Sequence, residues 1–302
     1  MKILLLGANG QVGWQLRRSL SVLGDVTALH RGSSPLCGDL TRPDALADAI
    51  RAVAPDVIVN AAAYTAVDRA ESEREAAFAV NGTACEVLAA EAARLGAWLV
   101  HYSTDYVYDG TGQRPWRESD ATAPINAYGE SKLAGEQAVA RHERHLILRT
   151  SWVFDTWGQN FLKSILRAAA QRDSLAIVCD QWGAPTRAAL IADVTAHVVA
   201  RLRPELAGIY HVAAAGATNW HAYASLALEH AAQCGMPLKI QTGNIRAIPS
   251  GEYPVAAARP ANSRLDTHKL QSSFGLVLPP WQDGVSAVVA ELASFNLSRQ
   301  FP

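Results

Sequence analysis

Lys2-Ile3-Leu4-Leu5-Leu6-Gly7-Ala8-Asn9-Gly10-Gln11-Val12-Gly13 is the stretch whose reading decides the fold. Lys2 to Leu6 has the apolar run of a buried strand, and it leads directly into the glycines. Val12, Leu16, Leu20 and Leu23 then recur at helical spacing. Strand, glycine turn and helix therefore come in the order that brings a helix N-terminus and bare backbone N–H groups up to a pyrophosphate. Gly7, Gly10, Gln11 and Val12 are the residues expected at that phosphate. The apolar run stops at Gly7, too early for a secretory h-region.

The same pattern repeats downstream. A second strand, about Asp25 to His30, ends in His30-Arg31-Gly32-Ser33, where an NAD-binding chain would present an acid to the ribose 2′-hydroxyl. Two potential cations and a hydroxyl suit a 2′-phosphate better, so NADPH is expected, with NADH possible. The alternative reading of Arg31 is a solvated loop residue. Asp39, in Gly38-Asp39-Leu40, is either a turn residue or a partner of the adenine amino group. Asp56 to Asn60 gives a third strand, and Ala61-Ala62-Ala63 offers small side chains where a cofactor passes close to backbone. Alternating strands and helices of this kind predict an α/β fold, a doubly wound parallel sheet (Rossmann-like).

A helix is expected from about Glu73 to Leu95, followed by the strand Trp98 to Ser103, which ends in Thr104-Asp105 at the edge where such sheets bind ligands. Tyr128-Gly129-Glu130-Ser131-Lys132 sets a phenol and an ammonium on one face of a helix. With eight Tyr and five Lys in the chain, about 0.13 such pairs are expected by chance. Their position behind a complete dinucleotide-binding half, and 24 residues after Thr104, is what makes the pair a proton donor for carbonyl reduction. Lowering a phenol from about 10 to about 7 takes roughly 4 kcal/mol. One ammonium at about 4 Å and an effective dielectric near 20 supplies that. Thr104, Tyr128 and Lys132 are thus expected to converge as the catalytic group without any metal.

Beyond about residue 150 the organisation changes. Residues 1–150 form the expected dinucleotide-binding domain, and 151–302 a smaller, mixed α/β C-terminal substrate lobe with some segments returning to the large sheet. Helices are expected at Phe161 to Ala170, Leu190 to Arg203, Trp220 to Gly235 and Asp283 to Leu292. Strands are expected at Leu175 to Val178, Gly208 to Val212 and Leu238 to Ile240. The loops Asp180 to Thr186 and Arg259 to Leu265 are polar and rigid, as a substrate pocket requires. Trp152 and Trp182 either stack on a ring or fill core, and His142-Glu143-Arg144-His145 reads as a solvated helix end.

Composition narrows the function classes. With 302 residues, 49% hydrophobic, and 27 Lys+Arg against 28 Asp+Glu, the chain lacks the basic excess of a nucleic-acid binder. No run approaches the roughly 18 apolar residues of a membrane span. Four scattered cysteines without a C-x-x-C pair fit a reducing, cytoplasmic setting.

Together these motifs resemble the extended short-chain dehydrogenase/reductase superfamily and, within it, the dTDP-4-dehydrorhamnose reductases. Beyond the glycine turn and Tyr128 to Lys132, the resemblance rests on Asn60 to Asp68, Ser103 to Val107, Leu133 to Glu136, Arg149 to Trp152 and Asp180 to Thr186. It implies NADPH-dependent reduction of the C4 keto group of a dTDP-4-dehydro sugar, with Thr104, Tyr128 and Lys132 catalytic. Gly10, Gln11, Val12, Asp39, Leu40, Ala63, Tyr64, Thr65 and Tyr102 would line the cofactor, and Thr104, Asp105 and Trp152 the sugar. Some members dimerise through a magnesium ion held by helix carboxylates. At the matching places this chain has Gln15, Ala189 and Glu291, so no metal is expected, and the chain would be a monomer or homodimer. Two alternatives share the fold: a nucleotide-sugar epimerase or dehydratase, and a non-catalytic dinucleotide-binding regulatory subunit.

Overall fold

Six parallel strands, in the order β2-β1-β3-β4-β5-β10, carry the molecule. The computed structural model describes residues 1–241 and 243–298. The first half runs β1 (Lys2–Leu6), α1 (Gln11–Leu20), β2 (Asp25–Leu29), α2 (Pro43–Val53), β3 (Val57–Asn60), α3 (Val67–Ala70), α4 (Arg74–Phe78), α5 (Ala84–Leu95), β4 (Trp98–Thr104), α6 (Ala127–Val139) and β5 (His145–Thr150). After it come β6 (Val153–Phe154), α7 (Phe161–Ala169), β7 (Leu175–Val178), β8 (Trp182–Gly183), β9 (Thr186–Arg187), α8 (Ala188–Val199), β10 (Gly208–His211), β11 (Thr218–Asn219), α9 (Trp220–Gln233), β12 (Ile245–Ile248), α10 (His268–Phe274) and α11 (Trp281–Ser298).

Strands β1, β3, β4 and β5 are buried on both faces because helices cover both, as in a parallel sheet. One apolar cluster joins Ile3, Leu5, Val57, Val59 and Val100 to Leu16 and Leu20 of α1 and Ile191 and Val198 of α8. A second, on the opposite face, joins Leu4, Leu6, Ile58 and Leu99 to α2 and α5. Order reverses between β1 and β3, the switch point where open sheets hold ligands. As expected, the later chain returns to this sheet: β10 pairs in parallel with β5, Gly208 opposite Leu146. A third cluster, built around Phe154, Leu162, Tyr223 and Val288, lies among α7, α9 and α11.

Three local expectations need correction. The helix expected over about Glu73 to Leu95 is broken by a π turn at Ala79–Thr83, between α4 and α5. The wider turn lets Asn81 accept the Tyr64 N–H at 2.8 Å and donate to the Tyr64 carbonyl and the Ser131 hydroxyl. The strand expected near 238–240 is absent there. Lys239 and Ile240 instead donate their N–H groups to the Ala169 carbonyl at the end of α7, and Ile245–Ile248 pairs with β7. His142 is no solvated residue either: it is buried, with Nε2 2.8 Å from the Ala97 carbonyl oxygen.

Candidate active site

The glycine turn forms because it alone tolerates this packing. Gly7 adopts φ +82°, and a Cβ there would meet the Ala61–Ala62 backbone at 2.5 to 2.7 Å. At Gly13 a Cβ would lie 2.0 Å from the Gly7 carbonyl oxygen, so α1 packs against the turn only without a side chain. Gly10 caps α1 with no side-chain hydrogen bond, and no acid occupies its first turn. The helix thus presents free N–H groups and its positive end to the space above β1.

That space is a groove of about 580 Å³. Gly7, Gly10, Gln11, Val12, His30, Arg31, Asp39, Leu40, Ala63, Thr65, Tyr102, Tyr128 and Lys132 all line it, as the sequence predicted for each. Tyr64 does not: its phenol turns away to donate to Glu73 at 2.6 Å, and its backbone is held by Asn81. At the adenosine end Arg31 is exposed, while the His30 ring folds back to accept the Gly32 N–H. Asp39 is a turn residue, accepting from the Thr41 N–H and hydroxyl, and it also lines the groove. Burial pushes its carboxyl up, but Thr41, Arg31 and Arg42 outweigh this and hold it below its ordinary value.

At the other end the carboxyl edges of β4 and β5 lie in register, Thr104 opposite Thr150. Asn126 caps α6 by accepting the Gly129 N–H at 2.8 Å, which starts the helix so that Tyr128 and Lys132 face the groove. Thr104 and Tyr128 meet, and Lys132 lines the same groove as Tyr128. The Thr104 hydroxyl bonds to the phenol and lowers it, but burial dominates and pushes Tyr128 up to about 12. Here the sequence expectation of a phenol already lowered by Lys132 fails. The buried ammonium donates to the Tyr102 carbonyl oxygen at 2.6 Å and lies 3.3 Å from His101 Nε2. Burial lowers Lys132 in turn.

A second, larger cleft of about 1170 Å³ opens beside the groove. Tyr106 lines it and meets Tyr128 edge-on, ring centroids 5.6 Å apart, so the phenol stands where the two cavities adjoin. Arg172, Gln181, Trp220, Arg246, Tyr253 and Arg259 are among its walls. The three side chains predicted to touch a sugar lie behind this wall. Thr104 and Asp105 are buried, and the Trp152 ring stacks on Trp220 at 3.5 Å. Trp152 takes φ +48°, and Gly183 leaves the room its indole occupies. Asp105 accepts from Thr104, while its Oδ2 lacks a partner among the described residues; burial, against hydrogen bonds from Ser263 and Thr104, raises its carboxyl to about 7. Trp182 is exposed, with the Arg264 guanidinium 5.9 Å from its ring.

Sequence reasoning missed the far wall of the groove. Gly158 and Gln159 line it, and their neighbour Trp157 donates its indole N–H to the Asn9 carbonyl at 2.9 Å and stacks on Trp14. Nothing local marks these residues, which approach the glycine turn across some 150 positions of chain. Glu291, singled out for its carboxylate, is paired with Arg187 at 2.7 Å. Gln15 and the Ala189 N–H both bind Asp155. Among the described residues no three His, Cys, Asp or Glu side chains form a metal-holding group.

The groove suits a dinucleotide. Its helix end is uncompensated, and the buried Ser103 and Thr150 hydroxyls in its lining lack partners. Fold and site together define an oxidoreductase of the short-chain dehydrogenase/reductase type. Residues 1–294 match the family model for the RmlD substrate binding domain. The chain is 51% identical to the dTDP-4-dehydrorhamnose reductase of Escherichia coli (strain K12) over 97% of its own length and 98% of the relative's. Among solved structures, the reductase of Clostridium acetobutylicum superposes with a TM-score of 0.88 at 30% identity, covering 97% and 99% of the two chains. That of Bacillus anthracis, solved in complex with NADP, gives 0.86 at 32%, covering 96% and 99%. The chain belongs to the dTDP-4-dehydrorhamnose reductase family.

Proposed function

We propose that this chain reduces the C4 keto group of dTDP-4-dehydro-L-rhamnose, giving dTDP-L-rhamnose at the expense of NADPH. The observation that carries the reading is the position of Tyr128, in the groove lining and against Tyr106 of the larger cleft. When bound, NADPH supplies the hydride. The turn from Gly7 to Gly13 would hold its pyrophosphate, and His30 and Arg31 its 2′-phosphate. Arg172, Arg246 and Arg259 offer the cleft guanidiniums for a nucleoside diphosphate, the last two now paired with Glu252 and Asp68 of the same lining, and Trp220 and Tyr253 offer flat apolar surface.

Tyr128 donates its proton to the carbonyl oxygen as negative charge builds there, and Thr104 orients that oxygen and the phenol together. A phenol held near 12 is a weak acid at neutral pH, so Lys132 is assigned a second role besides binding the nicotinamide ribose: its ammonium favours the departing proton. Trp152 and Asp105 shape the sugar end from behind. Purified protein is incubated with the 4-keto sugar nucleotide and NADPH or NADH side by side. Cofactor oxidation with NADPH ahead of NADH, and its near-complete loss in Tyr128→Phe, is the expected result. No oxidation by the wild type, or full activity in the variant, would sink the reading.

A further inference from the structure

Behind Lys132, strand β4 buries an imidazole that the reaction scheme leaves unused. His101 is 1% exposed and stands between two nitrogen donors: Nδ1 lies 3.1 Å from Asn60 Nδ2, and Nε2 lies 3.3 Å from Lys132 Nζ. Burial first, and the Lys132 charge second, hold His101 well below its ordinary value, so the ring is neutral and carries one proton. A neutral imidazole accepts a hydrogen bond at one nitrogen only.

The surroundings decide which nitrogen. Asn60 Oδ1 accepts the Ala62 N–H at 3.2 Å, so it is the amide nitrogen that faces His101, and an amide cannot change its protonation. Cys85 lies 3.9 to 4.0 Å from the ring nitrogens, but its thiol proton goes to the Asn81 carbonyl at 3.2 Å. Nδ1 therefore accepts from Asn60, and the ring proton sits on Nε2, facing Lys132. An ammonium there meets donor against donor. Lys132 can relieve this by releasing a proton to solvent, accepting from Nε2–H and still donating to the Tyr102 carbonyl oxygen.

The other titratable groups facing Lys132 do not reverse this. They are Cys85 from α5 and Glu136 from its own helix; Tyr128 shares the groove lining, and the Tyr102 phenol is turned away to Thr195 of α8. Glu136 is occupied by Arg149 through two hydrogen bonds, at 2.8 and 2.6 Å. We infer that His101 is a positioning residue for the reduction: locked by Asn60 with its proton on Nε2, it weakens the proton affinity of Lys132 and so sets the pH at which the reductase loses its ammonium. The kinetic half of this rests on the proposed function; the tautomer and the titration of Lys132 do not.

Three measurements on the full-length chain test it. In wild-type protein labelled with 15N-histidine, long-range proton–nitrogen correlation should show His101 protonated at Nε2 and bare at Nδ1. A proton on Nδ1 overturns the inference even if no variant folds. In protein labelled with 13C-lysine, His101→Phe should raise the proton affinity of Lys132 roughly tenfold, the weight of one charge-facing N–H. Asn60→Asp, whose carboxylate accepts from Nδ1–H and so leaves Nε2 bare toward Lys132, should raise it at least as far, and less when placed on His101→Phe. An unmoved Lys132 titration in His101→Phe overturns the assignment. The alkaline limb of kcat/KM with NADPH should follow the titration, whereas a purely structural role would lower kcat/KM evenly at every pH. A chain that consumes no NADPH but shows the expected tautomer and titration loses the proposed function and keeps this inference.

Discussion

Helix α6 carries two buried charges one turn apart, and the protein treats them in opposite ways. Glu136 meets Arg149 in a two-bond ion pair, both side chains 3% exposed, and Tyr108 completes it by accepting from the guanidinium at 2.6 Å. Tyr108 in turn meets His211 Nε2 at 2.8 Å, and burial, with Arg149 behind it, drives that imidazole down to about 3. Every charge in this cluster has a fixed partner inside the protein. Lys132, equally buried, has a carbonyl oxygen and an imidazole, and no carboxylate within ion-pair distance among the described residues. A satisfied buried charge holds elements together; an under-satisfied one facing a groove is held ready for something that comes and goes.

Removing each charge should therefore fail differently. Lys132→Met should lower kcat/KM by roughly 10²- to 10⁴-fold, while its thermal midpoint stays at or above wild type because a costly buried cation is gone. A midpoint lowered by many degrees, read by calorimetry, would mean that Lys132 belongs with Arg149 as a structural charge. Arg149→Met should instead cost about 3–5 kcal/mol of stability by stranding Glu136. Urea unfolding of Arg149→Met with Glu136→Leu should recover most of that loss, since both partners are then apolar. A double variant as unstable as the single one would contradict the pairing.

A third test uses Asp105, a buried carboxyl without an ion-pair partner among the described residues. Its folded value of about 7 lies above the ordinary 3.8, so between these the folded chain keeps a proton that the unfolded chain has shed. Stability from this group is fully present at low pH and is lost as pH rises through that window, the reverse of a salt-bridged acid. Asp105→Asn should flatten the decline between pH 4 and 7, by at most a few kcal/mol at about 1.4 per pH unit. Thermal midpoints measured across that range decide it, and parallel curves for the two proteins would rule the effect out. The smallest effect is expected at Trp157→Ala, which frees the Asn9 carbonyl and unstacks Trp14. NADPH binding, followed by nucleotide fluorescence, should weaken by about three- to tenfold, the range of one neutral hydrogen bond.

Much of this was legible in the chain itself. The glycine turn was readable because steric exclusion is local: a Cβ at Gly13 meets an atom six residues away. Thirteen of the fourteen residues expected at the groove line it, most because they follow a strand whose carboxyl end must face it, while Tyr128 and Lys132 reach it from α6. Tyr64 escaped because its direction depends on the π turn that brings Asn81 in, and a hydrophobic period cannot show a one-residue widening. Trp157, Gly158 and Gln159 carried no signal, since their role exists only once α7 and the glycine turn are neighbours. The expected lowering of Tyr128 failed for a similar reason: spacing places the ammonium on the correct face but does not show that burial dominates at the phenol and that the ammonium is turned to the Tyr102 carbonyl oxygen and the His101 ring.

By itself the sequence determined the doubly wound sheet and the groove above β1, and it singled out Tyr128 as the proposed proton donor, because periodicity, glycine sterics and residue chemistry act over a few positions. Tertiary structure alone decided which buried charges are satisfied. Glu136 and Lys132 sit on one helix with similar burial, and only the strands packed against them give one a guanidinium and the other a carbonyl and an imidazole. Charge in a protein interior is governed by whatever lies within a few ångströms, and that is fixed by packing across distant parts of the chain.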